Sequence, residues 1–553
     1  MESSTIDLKI GLAFSGGGYR AACFCLGTLS YLNETTLFGK PLREHVVALS
    51  TVSGGTITGA AYAVGIKQGK SFDTIYETLY SFMNDTDLVS LGLDRLLSNE
   101  GWKRNRIKSL INAFADVYNK ELFKGSTFGT LMTDSNPIHL KHISFNATEF
   151  SNALQFRFQW SDKITKPAAE ESPRGIIGNK FFRIPEEAAS EIRMGDILAA
   201  SSCFPGGFEP INFPSDFQYE GSSKLSELCE NPHYRVGLMD GGIVDNQGIE
   251  PILLADQRMK RNLEHPDQQE HALDLIIVSD VASPYMEDYK QSTQHPATGW
   301  RKLSPAIILS INSVLLLTCA ALLYLFITNG NTIMIIVSTA IATLSILLFL
   351  LGRLLNELPI KFNVPEFFLK PFGKLLRLKL QVYETMISNR KNSLLKMTNE
   401  VFLKHVRRLN YNRIYNDESW KNRRMMNAIY ELRKDEKGYR DKIQEKKIPE
   451  YLMPSAKVQE VATVASSMST TLWFTRDELE KMNMLNTIIT CGQFTTCWNL
   501  LEYLEGIKRN NSNTNPNHAS ILQLEEKLKS HWMSFQEDPF WLVEVINKRS
   551  GVF

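Results

Sequence analysis

Apolar and polar positions follow two rhythms along this chain. Short apolar runs at residues 8–14, 45–51, 142–147, 154–160 and 274–280 are closed off by glycine or polar residues. These predict strands, the last of them buried on both faces. Between them, helical spacing of apolar positions predicts helices over 19–32, 56–67, 72–83 and 102–123. Strands alternating with helices point to an α/β domain with a mainly parallel sheet. From about Leu375 the pattern predicts helix to the end, broken by the polar stretch 510–517, and no internal repeat is visible.

One stretch departs from both rhythms. Between Lys302 and Arg353 there is no Asp, Glu, Lys, Arg or His. Runs at 304–328 and 332–352 are almost wholly apolar, separated by the polar turn Asn329-Gly330-Asn331. Each exceeds the roughly 20 residues that cross a hydrocarbon core of about 30 Å. Two buried core helices are the alternative, but soluble core helices rarely run so long without a charge. The pattern predicts a transmembrane hairpin over 301–355. It divides the chain into an α/β region at 1–300 and a basic, then helical C-terminal part at 356–553. Arg301, Lys302 and Arg353 flank the same end of the hairpin, so the positive-inside rule puts both ends, and the α/β domain, in the cytoplasm. Residues 361–408 carry eleven Lys and Arg against three Glu, a net of +8, which suits anionic inner-leaflet lipid. The expectation is an integral, multi-pass membrane protein.

Composition narrows the field further. A net charge of +1 over 553 residues offers no global field for nucleic acid. Seven cysteines, with no Cys-x-x-Cys pair beside histidine, suggest reduced thiols in a cytoplasmic setting rather than a zinc site. Residues 1–7 lack the basic and apolar regions of a signal peptide.

Candidate chemistry lies where the first two strands end. Ser15-Gly16-Gly17-Gly18-Tyr19-Arg20 joins a strand to a helix through a row of backbone N–H groups that no side chain obstructs. Extended to Ala21, the run from Gly16 also satisfies Gly-x-Gly-x-x-Ala, a dinucleotide fingerprint. That reading needs an acidic residue closing the second strand, which here ends Ser50-Thr51-Val52-Ser53. A phosphate loop is excluded because no Gly-Lys-Ser/Thr follows. Thr51-Val52-Ser53-Gly54-Gly55 instead approaches the nucleophile elbow Gly-x-Ser-x-Gly, with threonine in place of the first glycine. A Ser-Gly-Gly turn is commonly only a turn; its strand-to-helix position beside a glycine cradle is what raises it. None of the ten histidines has the context of a base, His45 opening an apolar strand and His139, His142 and His233 lying in polar stretches. Asp240, in Asp240-Gly241-Gly242 after an apolar strand, is the better candidate for direct proton transfer.

Together these residues resemble the patatin-like phospholipases, close to their bacterial branch. Gly16, Gly17, Gly18 and Arg20 match the family's Gly-Gly-Gly-x-Arg/Lys oxyanion motif, Ser53 its nucleophile, and Asp240-Gly241-Gly242 its Asp-Gly-Gly/Ala motif. Residues 197–205 resemble its Ala-Ser-x-x-x-Pro segment, and 143–148 its central strand. The likeness covers 8–283 and resumes more weakly over 376–415 and 462–504. It implies a three-layer α/β/α fold and a lipid acyl hydrolase that needs no metal or cofactor. The hairpin, which the family does not require, then reads as an insertion that anchors the enzyme in the membrane, with 356–553 completing the catalytic unit. It also implies a Ser53–Asp240 dyad, an oxyanion hole of Gly16, Gly17 and Gly18, and supporting turns at Gly54, Gly55, Gly241 and Gly242. For Arg20, orienting the glycine loop, meeting a lipid phosphate and forming a structural ion pair all stay open. So do two other functions: acyl transfer to an alcohol, and an inactive membrane-tethered interaction protein.

Overall fold

The computed structural model describes residues 8–99, 102, 106–134, 136–163, 174–263, 270–282, 299–330, 332–361, 377–445, 447–510 and 518–552. The chain divides into two compact units: Met1–Tyr285 with Leu403–Phe553, and Met286–Phe402.

The first unit is built on strands β1 (Ile10–Phe14), β2 (Val46–Val52), β3 (His142–Glu149), β4 (Leu154–Ser161), β5 (Ile211–Phe213), β6 (Val236–Asp240), β7 (Leu275–Asp280) and β8 (Arg424–Ala428). They form one eight-stranded sheet in the order β8-β7-β1-β2-β3-β6-β5, with β4 paired to β3. The run from β8 to β3 is parallel, while β4, β5 and β6 pair antiparallel. Such a sheet needs cover on both faces, and β1, β3 and β7 are buried along their whole length. Register sets the chemistry. Phe14 lies opposite Thr51 and Ser279, Val52 opposite Asn146, and Ala147 opposite Asp240. The ends of β1, β2, β6 and β7 therefore meet at one edge, where ligands of α/β sheets bind.

Helices α1 (Gly18–Glu34) and α2 (Gly54–Lys67) leave that edge directly from β1 and β2. Then follow α3 (Phe72–Asp85), α4 (Leu88–Leu97), α5 (Leu110–Val117), α6 (Met194–Ser202) and α7 (Ile249–Arg261). The helix expected over 102–123 starts only at Leu110. Ser109 caps it by accepting the Asn112 N–H at 3.3 Å, and buried Arg106 is drawn to Asp116 and Asp196, both at 3.1 Å.

In the second unit, α8 (Pro305–Thr328) and α9 (Thr332–Lys361) form the apolar hairpin, followed by α10 (Leu380–Lys396). The turn residue Asn331 lies outside the described residues, and so do Glu366, Lys370 and Lys374 of the basic segment. Asn312 donates to the Ser345 carbonyl at 3.0 Å, and buried Cys319, Ser338 and Ser345 share its small, polar character. Only 11% of the apolar window on each helix is buried, which is not how core helices of a soluble fold pack.

After residue 403 the chain returns to the first unit. Helix α11 (Leu403–Tyr415) precedes β8; α12 (Ala456–Ser467) and α13 (Met484–Asn510) come after it. The expectation of helix from about Leu375, broken only at 510–517, fails at β8. Arg-Met-Met-Asn-Ala has side chains that suit a helix, but tertiary contacts override that preference. Buried Asn427 donates to Thr28 and Thr496, each at 2.9 Å, while its backbone extends the sheet at β7. Arg407, counted above toward the basic segment, pairs instead with buried Asp280 at 2.7 Å. That charge is not available to lipid. Helix α13 packs on α1 closely enough that a Cβ on Gly27 would lie 2.1 Å from the Ile489 carbonyl oxygen.

Candidate active site

At the end of β2 the chain turns sharply into α2, and Ser53 occupies the bend with φ 49° and ψ −121°. Positive φ in a serine costs on the order of 1–3 kcal/mol and persists only where the surroundings enforce it. Here they do. The Ser53 N–H donates to the Ser201 hydroxyl at 2.9 Å, and that hydroxyl donates to the Asn146 carbonyl at 2.7 Å. With its one proton so used, Ser201 must accept from Thr56 at 2.9 Å, and Thr56 from Thr51 at 2.9 Å. Thr51 fits where the elbow pattern has glycine because its methyl faces Gly59, where a Cβ would lie 2.3 Å away. Ser201 and Asn146 belong to the two segments whose likeness was structural rather than catalytic, so sequence alone gave them no role.

Asp240 arrives from the other side. Its backbone N–H donates to the Cys203 carbonyl at 3.0 Å, and its own carbonyl accepts the Thr148 hydroxyl at 2.8 Å. The Gly242 N–H fixes one carboxylate oxygen at 2.7 Å. The Ser53 hydroxyl lies near enough to this carboxyl to pull its pKa down. Burial raises the Asp240 pKa to about 6, against the opposing pull of the Gly242 N–H and the Ser53 hydroxyl. Gly241 must lack a side chain, since a Cβ would lie 2.4 Å from the Asn146 carbonyl oxygen. Ser53 and Asp240 are thus brought together, 7% and 4% exposed.

The glycine loop lies beside the elbow, with Gly18 pressed onto Gly54 so that a Cβ on Gly54 would sit 2.0 Å from the Gly18 carbonyl oxygen. Of the three glycines expected to donate, Gly16 does not. Its N–H is committed to the Asn246 carbonyl at 2.9 Å because the loop crosses that segment in close contact. Among the described residues, the Gly17 and Gly18 N–H groups are bonded to no carbonyl. Helices α1 and α2 both start here, which adds the partial positive charge of two N-termini. A buried carboxylate beside a serine hydroxyl, with free N–H groups alongside, can take a proton and hold a developing oxyanion.

A second serine stands in a triad-like arrangement that sequence did not reveal. Ser419 lies 2.8 Å from His271 Nε2, and His271 Nδ1 lies 3.0 Å from Asp256. Asp256 also accepts the Ala272 and Leu273 N–H groups, each at 2.8 Å. Acyl transfer does not fit here. The Ser419 hydroxyl donates to Asp417 at 2.5 Å, its own N–H goes to the same carboxylate at 3.0 Å, and the Trp420 ring lies tilted against His271, with centroids 3.6 Å apart. The neighbouring Trp420 and Lys421 N–H groups are bonded to carbonyls, so neither is free to hold an oxyanion at Ser419. His139 and His142 are also unsuited to the role of base, since burial lowers both pKa values to about 3.

The family model of the patatin-like phospholipases matches residues 12–253. A solved structure similar to this chain is human GIVD cytosolic phospholipase A2, at 13% identity and a TM-score of 0.30, over 50% of this chain and 46% of that one. No curated protein matches the chain.

Proposed function

We propose, on the premise that residues 12–253 are a patatin-like phospholipase domain, that this chain hydrolyses an ester bond of a membrane lipid through Ser53 and Asp240. The observation that carries the reading is the placement of Ser53, at a positive-φ bend between strand and helix, beside the buried Asp240 carboxyl. In the first step Asp240 takes the hydroxyl proton as Ser53 Oγ bonds to the acyl carbon. The N–H groups of Gly17 and Gly18 hold the oxyanion, each such donor typically worth about 3–4 kcal/mol in related sites. Collapse breaks the ester bond, and the departing alcohol takes the proton from Asp240. Water then attacks the acyl-enzyme with Asp240 again as base, releasing the fatty acid and restoring Ser53. The hairpin serves as the membrane anchor, supported by two apolar helices of which only 11% of each apolar window is buried among the described residues. The reading is tested by turnover of a soluble short-chain ester. Ser53→Ala and Asp240→Asn each abolish turnover while the protein stays folded; wild-type turnover in Ser53→Ala contradicts the assignment.

A further inference from the structure

The glycine loop does not hold its own shape. Gly17 and Gly18 have φ of 143° and 60°, so two consecutive residues depend on their surroundings for conformation. One side rests on Gly54. The other is closed by a segment far along the chain, where a Cβ on Gly18 would lie 2.1 Å from the Thr471 carbonyl oxygen and 2.7 Å from that of Thr470. The Tyr19 N–H donates to the Thr471 carbonyl at 2.7 Å. The half-buried Arg20 guanidinium donates to the Met468 carbonyl at 2.5 Å and reaches that of Ser466 at 3.4 Å. Ser466 is in the last turn of α12, whose final carbonyls have no partner within the helix, so Arg20 satisfies them as it grips. Burial lowers the Arg20 pKa to about 10, with Asp280 opposing, and the side chain stays cationic at neutral pH.

We propose that residues 466–471, held by Arg20 and the Tyr19 N–H, are a positioning clamp that aims the Gly17 and Gly18 N–H groups. The proposal rests on the lipid-hydrolase reading for its effect on turnover, but not for the clamp itself. The clamp lies outside the 12–253 family region, so it makes the C-terminal part a working component of the site. Arg20 is a positioning residue here. Oxyanion donors displaced by about 1 Å cost on the order of 10²-fold in rate.

The test compares Arg20→Ala and Arg20→Lys with wild type in the full-length protein. On a neutral soluble ester, kcat falls about 10²-fold in Arg20→Ala with KM nearly unchanged, and the fall on phospholipid vesicles is the same. Arg20→Lys, able to serve one carbonyl, falls between. Unchanged kcat on the neutral ester, with loss confined to KM for the charged lipid, overturns the clamp and makes Arg20 a headgroup ligand. Hydrogen exchange reads the clamp without substrate. The Tyr19 amide is protected in wild type and exchanges at least tenfold faster in both variants. Unchanged protection in both overturns the clamp, even where Arg20→Ala fails to fold and only Arg20→Lys can be read. Altered exchange in a protein that cleaves no ester sinks the hydrolase reading and leaves the clamp standing.

Discussion

Asp240 is placed between two demands. A general base works best with a pKa near the operating pH, and burial brings this carboxyl to about 6. Below that pH the carboxyl is protonated and cannot accept the Ser53 proton. The acid limb of kcat/KM therefore falls tenfold per pH unit below about 6; a limb near pH 4 would mean another base. The same shift works against stability. A raised carboxyl pKa favours the protonated folded state, so the stability present below about pH 4 is lost as pH rises through about 6. A shift of about two units corresponds to roughly 3 kcal/mol. Asp240→Asn should therefore be inactive yet up to about 3 kcal/mol more stable than wild type at pH 8, as read by denaturant unfolding. A less stable variant would show that the carboxylate is compensated in some other way. Ser53 and Asp240 stood out in sequence as candidates because glycines flank both at strand ends, and the structure brings the two together. Ser201 was not, because its role arises only where it meets Ser53 from 148 positions away. The triad-like Ser419, His271 and Asp256 were invisible for the same reason.

Among the elements, β8 shows where reading by periodicity stops. Its five residues carry no strand signature, and only the open side of β7 and the partners of Asn427 make them extended. The parallel core from β1 to β3 was legible because each strand is a continuous apolar run. Helix α11 is tied to β7 by the Asp280–Arg407 pair, with Asp280 fully buried and Arg407 also donating to Tyr430 at 3.3 Å. Removing one partner of such a pair strands a buried charge and typically costs about 3–5 kcal/mol. Arg407→Leu should destabilise the protein by that order in chemical denaturation, and Asp280→Leu added to it should recover much of the loss. Equal stability of Arg407→Leu and wild type would mean that the pair does not secure α11.

At the scale of the whole chain, two units follow different rules. The first buries its apolar faces; the second turns them outward along 305–328 and 332–350. Charge-free length made the hairpin readable in sequence, whereas the count of +8 beside it overstated the free charge by including Arg407. Spans on the same chain as a lipid-cleaving site would raise the effective concentration of substrate around it. Wild-type protein should resist carbonate extraction from membranes. Replacing 304–352 with a short Gly/Ser linker should release it and lower activity on bilayer phospholipid, while activity on a soluble ester survives. Extraction of the wild type as a peripheral protein would contradict the anchor.

The most direct test of the central claim is the site of covalent labelling by a fluorophosphonate, mapped by mass spectrometry on the full-length protein. The account predicts one adduct, on Ser53, that is lost in Ser53→Ala and forms far more slowly in Asp240→Asn. An adduct on Ser419, or none on Ser53, would contradict it.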